Sequence, residues 1–416
     1  MTIASYIVLA VAAIPGIYYL LAIFSAARYF RVAWRENPAN HDFFPAISCL
    51  KPIRGLDDDA YENYASFCCQ DYPEFEIIFC VDRDDAALPV LEKLVADFPE
   101  RQIRLIFGSG RNAINDKVGR LTRLVSEARY DLLSITDSDV RVGPDYLRVV
   151  AQGFRDPKVG GATMLYVSTE ETSFVQELQS IGMTSDFFAG ILVSWQLDGV
   201  KFMFGQSILT TKQRIADFGG YEMLENRPAD DLNVGRLVAE QGWEVKLLPY
   251  VVKTVADFKS LKDLLHKRVR WMTVMRLMRR QGHRGLIFTW GLIWALIAIA
   301  VHPTWPVVAG YLGAYIVLRV IMTWLIGIHG MKQKGLWPKM LLIPIWDAMA
   351  FLIWVASFGR NVIRWRGYDY YLRNGMLVPV NAAKTPRGEV TSVEFRTRQG
   401  GTIVAEDVSP GSEGSN

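Results

Sequence analysis

The sequence predicts an α/β domain built on a parallel sheet and carried between membrane helices at both ends. Three observations predict it. Half of the 416 residues are hydrophobic, mean hydropathy is +0.13, and the apolar residues gather in long runs near both ends of the chain. Between residues 42 and 260 short apolar runs alternate with helical patterns, the βαβα order of a parallel sheet with covering helices. Two of those runs end on aspartates, at the carboxyl ends where such sheets hold ligands.

Residues 3 to 27 carry no charge before Arg28, which is long enough to cross a hydrocarbon core of about 30 Å. With no basic stretch ahead of it and no small-residue cleavage site, this run reads as an uncleaved anchor. Strands are expected at "AISCLKP" (46–52), "EIIFCVD" (76–82), "IRLIFGS" (103–109) and "DLLSITD" (131–137), and helices at 86–98 and 118–128. Three more apolar runs follow at 286–301, 307–328 and 340–358. Arg28, Arg31 and Arg35 after the first run, and Arg276, Arg279, Arg280 and Arg284 before the second, put residues 28 to 285 in the cytoplasm. The charges conflict at the far end. Lys332, Lys334 and Lys339 place one end of the last run inside, and Arg360, Arg364 and Arg366 place the other end inside as well.

The expected organisation is an anchor (1–30), a cytoplasmic domain (42–284), membrane helices (285–358), a basic and aromatic membrane-proximal segment (359–396) and a disordered tail (397–416). A net charge of +3 gives no reason to expect a nucleic-acid partner. The four cysteines, Cys49, Cys68, Cys69 and Cys80, form no C-x-x-C pair and suit a reducing compartment.

The chemistry gathers around "LSITDSDVRV". Asp137 and Asp139 behind a core strand read either as a strand-end turn or as a pair holding a divalent cation, Mn²⁺ or Mg²⁺, on a diphosphate. Asp82 ends the second strand and can accept from a base or ribose; with Asp84 and Asp85 it can equally be a solvated acidic turn. No glycine-rich dinucleotide or Walker loop is present, so a nucleotide here needs side-chain contacts. Asp230 and Asp231 open a helical pattern, where carboxylates suit the free N–H groups and the dipole. In "HKRVRW", Arg270 beside Trp271 can bind a phosphate and frame a pocket; the later arginines read as a membrane-surface stripe. Two charges interrupt apolar runs. Arg319 lies nine residues from the cytoplasmic end of its run and Asp347 seven from the start of the next. At about 1.5 Å per residue the depths agree within roughly one helical turn, which predicts a buried ion pair between antiparallel helices.

Taken together, "LKPIRGLDDDAYENYASFCCQDYPEFEIIFCVDRDD", "NDKVGRL", "TDSDVRVGPDYL", "FGQSILTTKQRIADFGGY", "ADDLNVGRLVAEQGW" and "KRVRW" resemble glycosyltransferase family 21, the ceramide glucosyltransferases, and the related bacterial hopanoid-associated glycosyltransferases. The resemblance covers roughly residues 45 to 375 and implies a GT-A type nucleotide-diphospho-sugar fold. It further implies nucleotide contact by Asp82, diphosphate contact by Lys117, metal binding by Asp137 and Asp139, and a general base in Asp231. Arg270 and Trp271 fall at the end of the (Q/R)-x-x-R-W signature. Two departures stand out: Lys267 holds the first signature position, and N-P-K-x-x-N reads Asn115-Asp116-Lys117-Val118-Gly119-Arg120. The implied reaction is an inverting transfer of hexose from a UDP-sugar, UDP-glucose first, to the hydroxyl of a membrane lipid, ceramide first, with the bilayer delivering the acceptor. One base without a second carboxylate nucleophile fits a single displacement. The competing expectations are a hopanoid N-acetylglucosaminyltransferase, a processive polysaccharide synthase, a polyprenyl-phosphate sugar transferase, and a non-enzymatic scaffold with no metal dependence.

Overall fold

A computed structural model describes residues 2–33, 42–110, 113–169, 171–255, 258, 260–365, 368–373 and 375–380. Arg35, Arg366 and the expected tail lie outside the described residues. Eight strands form one sheet: β1 Ile47–Pro52, β2 Phe75–Val81, β3 Ile103–Phe107, β4 Leu132–Ile135, β5 Val140–Arg141, β6 Val159–Thr169, β7 Ile208–Thr211 and β8 Glu244–Val255. Their order is β3-β2-β1-β4-β7-β6-β8-β5. β1 and β2 are buried at every position, as expected for parallel strands covered on both faces. Leu50 of β1 pairs with Ile78 of β2 on one side and Ile135 of β4 on the other. The strand order therefore reverses between β1 and β4, and a crevice opens at their carboxyl ends.

All four expected strands and both expected helices are present, the helices at Leu88–Asp97 and Asp116–Glu127. The other half of the sheet is mixed rather than parallel. β7 runs antiparallel to β4 and β6, β6 and β8 are parallel, and β5 is antiparallel to β8.

Among the described residues, three continuous helical stretches are long and apolar enough to cross a bilayer: Ile3–Ala33, Trp305–Gly330 and Leu336–Phe358. Trp305–Gly330 runs parallel to the first. Tyr311 donates to the carbonyl of Leu9 at 2.7 Å, Arg319 lies over the Tyr19 ring, and Gly330 abuts the Phe30 ring. The expected run at 286–301 is a bent pair: Arg280–Thr289 and Gly291–Val301 are together long and apolar enough to form a broken span or a re-entrant loop. Its regular part, Gly291–Val301, has 11 residues and is bent by 56° from the helical stretch Arg280–Thr289. At about 1.5 Å per residue it spans about 16 Å, half of a hydrocarbon core.

The last apolar helix packs against the α/β domain. Near its start Lys339 pairs with Glu171 at 2.9 Å; just past its end the Arg360 carbonyl accepts from Arg276 at 2.5 Å. In between, Trp346 packs on Arg268 at 4.7 Å, so this helix lies alongside Leu261–Met278 and both its ends meet the α/β domain. A small antiparallel sheet follows, β9 Val362–Trp365, β10 Tyr368–Arg373 and β11 Met376–Pro379. Ile363, Tyr370 and Leu377 pack there against Val274 and Leu277, and the Leu377 amide donates to the Asn226 carbonyl at 2.7 Å.

The pair expected from matching depths is present. Arg319 and Asp347 are each 3% exposed, and the Arg319 guanidinium grips both carboxylate oxygens, with Nε at 3.0 Å from Oδ2. Tyr315 donates to the same Oδ2 at 2.8 Å, and Arg319 also donates to the Ser185 carbonyl. Ser185 belongs to a π-helical turn, Met183–Phe187, between β6 and β7, so the pair joins two membrane-proximal helices to the α/β domain. Removing one partner of a buried pair strands a charge at a cost of about 3–5 kcal/mol. Arg319→Ala and Asp347→Ala should each lower the detergent melting temperature and folded yield, and Arg319→Asp with Asp347→Arg should recover part of the loss. Normal folding of both single variants would remove the pair's structural role.

Candidate active site

The crevice between β1 and β4 gathers Asp82, Lys117, Asp137, Asp230 and Asp231. Asp82 follows β2 directly and its carboxylate pairs with Arg120, which is 2% exposed. Arg120 in turn holds Asp116 one helical turn back at 3.0 Å, and Asp116 holds Arg54 at 3.0 Å. The two residues that depart from the expected N-P-K-x-x-N stretch are thus partners of each other, and Arg120 also holds Asp82. Asp85 is structural: its oxygens accept from the amides of Gly55 at 2.8 Å and Ala87 at 2.9 Å.

Lys117 sits one residue into its helix, with Nζ 2.6 Å from Asp137 Oδ1 and 3.5 Å from Asp230 Oδ2. Burial opposes its charge, but Asp137, Asp230 and Asp231 outweigh burial and hold the ammonium well above its ordinary pKa. Asp230 is 6% exposed.

Gly205 connects the two acidic motifs. Its carbonyl accepts from the Asp137 amide at 3.2 Å, and its own amide donates to Asp231 Oδ2 at 2.9 Å. A Cβ at this position would lie 2.7 Å from Asp137 Oδ2, so only glycine permits the approach. The other Asp231 oxygen accepts from the Leu232 amide at 2.8 Å. The expected helix-capping role is therefore only partly met, because one carboxylate oxygen leaves the helix end for Gly205. The residue ahead of the helix, Ala229, has φ +52°, a left-handed conformation that costs energy outside glycine. Burial and the neighbouring Asp230 push the Asp231 carboxyl up to about 6, against the pull of Lys117.

Asp139 faces the other way. Its Oδ2 accepts from Thr254 on β8 at 2.5 Å, and burial followed by Asp137 pushes its carboxyl up to about 7. Behind the loop, the fully buried Lys51 donates to the Asp137 carbonyl at 3.1 Å and lies 3.9 Å from the Phe67 ring. Burial lowers its pKa to about 7. Asp57 accepts from the hydroxyl of Ser138. Among the described residues no three His, Cys, Asp or Glu side chains converge as a metal cage. A Mg²⁺-type ion needs only one or two carboxylates when phosphate oxygens complete its shell. Asp137 and Asp139, close enough that the charge of Asp137 raises the proton affinity of Asp139, fit that donor set.

Asp139 also opens onto a cavity of about 220 Å³, shared with Thr254, Lys267, Arg270, Trp271 and Gln333. The structure thus separates the expected site residues into two groups. Asp82, Lys117 and Asp137 lie in the crevice, Arg270 and Trp271 line the cavity, and Asp139 borders it. Asp231 is one residue removed from the cavity wall, through Gly205 to Gln206. Arg268 packs between Trp271 at 5.2 Å and Trp346 at 4.7 Å and donates to Gln179 at 2.9 Å; burial lowers its pKa to about 10. Lys51, Asp57, Arg268 and Gln333 were not legible as site residues. Lys51 and Asp57 sit in "KPIRGLDDDA", which carries no glycine-rich nucleotide motif, and Gln333 lies in a loop between apolar runs.

The description of glycosyl transferase family 21 matches residues 7–378. Ceramide glucosyltransferase 1 of Caenorhabditis elegans is 22% identical over 359 residues, covering 82% of this chain and 75% of its own length. Ceramide glucosyltransferase 3 of the same organism is 24% identical over 261 residues, covering 61% of this chain; the match spans only about half of that relative, 55%. Among solved structures, the mannosyltransferase PcManGT from Pyrobaculum calidifontis, in complex with GDP-Man and Mn²⁺, is 15% identical with a TM-score of 0.47, covering 84% of this chain and 98% of its own. With the family match running across most of its length, from the first membrane helix to the small terminal sheet, the chain belongs to glycosyl transferase family 21.

Proposed function

We propose that this chain is a membrane-bound inverting hexosyltransferase that moves a hexose from a UDP-sugar, UDP-glucose first, to the hydroxyl of a membrane lipid, ceramide first. The observation that carries the reading is Asp139's position, on the border between the acidic crevice and the cavity at the membrane-helix junction. The names of the matched relatives support the lipid acceptor. The basic residues flanking the first apolar run support a cytoplasmic domain.

In this mechanism the nucleotide lies in the crevice, with Asp82 accepting from its base or ribose while Arg120 fixes the carboxylate. Lys117 offers positive charge to the diphosphate. Asp137 and Asp139 would hold a divalent cation, which when bound supplies charge stabilisation for the departing diphosphate. Asp231, held on the Gly205 amide, takes the proton of the attacking lipid hydroxyl as the new glycosidic bond forms and the anomeric C–O bond to the diphosphate breaks. Arg270 and Lys267 give the cavity its positive edge, and Trp271, 41% exposed, offers an apolar face to a lipid or sugar.

Membranes containing the chain, given labelled UDP-glucose and UDP-N-acetylglucosamine with ceramide, diacylglycerol, a hopanoid polyol and polyprenyl phosphate, should label ceramide from UDP-glucose. Label in polymer, in polyprenyl phosphate or in no lipid would overturn the proposal. Chelation by EDTA should abolish transfer and added Mn²⁺ or Mg²⁺ should restore it; full activity in EDTA would remove the metal role of Asp137 and Asp139.

A base must be ionised to work. With its carboxyl raised to about 6, Asp231 is competent above that pH, so kcat should fall about tenfold per pH unit below it. Asp231→Asn can still accept from the Gly205 amide but not take the proton. It should lower kcat on the order of 10²-fold or more, with near-normal UDP-sugar binding. Equal losses from Asp230→Asn, or a matching loss of melting temperature, would make the pair structural.

A further inference from the structure

The cavity beside Asp139 has polar walls of two kinds. Its charged residues, Asp139, Lys267 and Arg270, are joined by neutral hydrogen-bonding side chains: Gln179, Gln206 and Gln333 with Ser168, Ser180 and Thr184. Gln333 comes from the loop between the helices Trp305–Gly330 and Leu336–Phe358, and its backbone amide is fixed on the Gly327 carbonyl at 2.9 Å. Its side-chain oxygen accepts from Thr184 at 3.1 Å, in the π-helical turn Met183–Phe187. Gly327 makes this docking possible: a Cβ there would lie 2.7 Å from the Thr184 methyl group. With its oxygen committed to Thr184, the Gln333 amide has N–H donors to offer the cavity.

We infer that this cavity is the binding site for a neutral, amide- or hydroxyl-bearing lipid head, and that Gln333 determines acceptor specificity by donating its amide N–H to the head's carbonyl or hydroxyl oxygen. The inference rests on the proposed lipid glycosyl transfer. Size and chemistry both point this way. A cavity of about 220 Å³ has room for a polar lipid head. Met183, Phe188 and Tyr166 supply apolar wall beside the glutamines. An uncharged amide that reads a substrate oxygen discriminates strongly, because an analogue lacking that oxygen leaves a desolvated N–H unpaired. The loop that carries Gln333 belongs to the membrane helices, so the acceptor would meet it on leaving the bilayer. The Arg319–Asp347 clamp holds the same π-helical turn from the other side through Ser185.

The test uses the full chain in lipid nanodiscs, with initial rates measured against ceramide at saturating UDP-glucose and against UDP-glucose at saturating ceramide. Gln333→Met, which keeps the side-chain length and removes the amide, should raise the ceramide KM about tenfold or more. Donor KM and kcat at saturating lipid should stay within about threefold of wild type. Gln333→Glu preserves the acceptor for the Thr184 hydroxyl and loses the N–H donors, so it should show the same split even where Gln333→Met folds poorly. A loosened loop would instead lower kcat and shift both KM values together, and that pattern in both variants overturns the inference. So does an unchanged ceramide KM in a wild-type-active preparation, which leaves the transferase proposal standing. Wild-type enzyme inactive on every neutral lipid overturns the transferase proposal and this inference with it.

Discussion

The close approach of one glycine to two carboxylates organises this molecule. Asp137 arrives from β4 and Asp231 from a helix nearly one hundred residues later, and both are hydrogen-bonded to Gly205. Like charges brought together in a buried crevice repel unless cations or hydrogen bonds compensate. Here Lys117 stands between Asp137 and Asp230, Lys51 supports the loop from behind, and the Gly205 amide serves Asp231. The compensation is partial, since Asp139 and Asp231 keep raised proton affinities. A crevice short of positive charge suits a metal–diphosphate ligand, and the strained Ala229 shows where the backbone bears part of the cost.

The membrane-side elements are tied to that crevice. The segment between β6 and β7 forms the helices Phe174–Gly182 and Phe188–Asp198 around a π-helical turn, and it packs against membrane helices instead of returning directly to the sheet. Arg319, held by Asp347 beside Tyr315, binds the turn at Ser185, and Gln333 binds it at Thr184. The basic helix Leu261–Met278 lies alongside the last apolar helix, with Arg268 held between Trp271 and Trp346. The cavity wall is thus assembled from the sheet, the basic helix and the loop between apolar helices.

Much of the first half of the fold was legible because its physics is local. Four apolar runs of strand length alternating with amphipathic helices leave few arrangements, and aspartates at strand ends fall at the switch point by topology alone. The Arg319–Asp347 pair was legible for a related reason, since an ionised group at depth needs a partner at equal depth. The second half of the sheet was not. β5 has two residues, and β6 pairs with β8 through register shifts near Val159 and Met164 that break any simple alternation. Arg120 read as a motif departure, and only the fold shows that its partner is Asp82, 38 residues earlier. Gln333 carried no signal, because an isolated polar residue between apolar runs gains meaning only from Thr184, 149 positions away.

The most direct test of the shared-glycine account is calorimetric titration of UDP-glucose with Mn²⁺ into Gly205→Ala, paired with its turnover. The account predicts a folded protein whose donor affinity and turnover each fall at least about tenfold, because the added methyl displaces Asp137 and strains the contact to Asp231. Wild-type affinity and turnover in Gly205→Ala would contradict it.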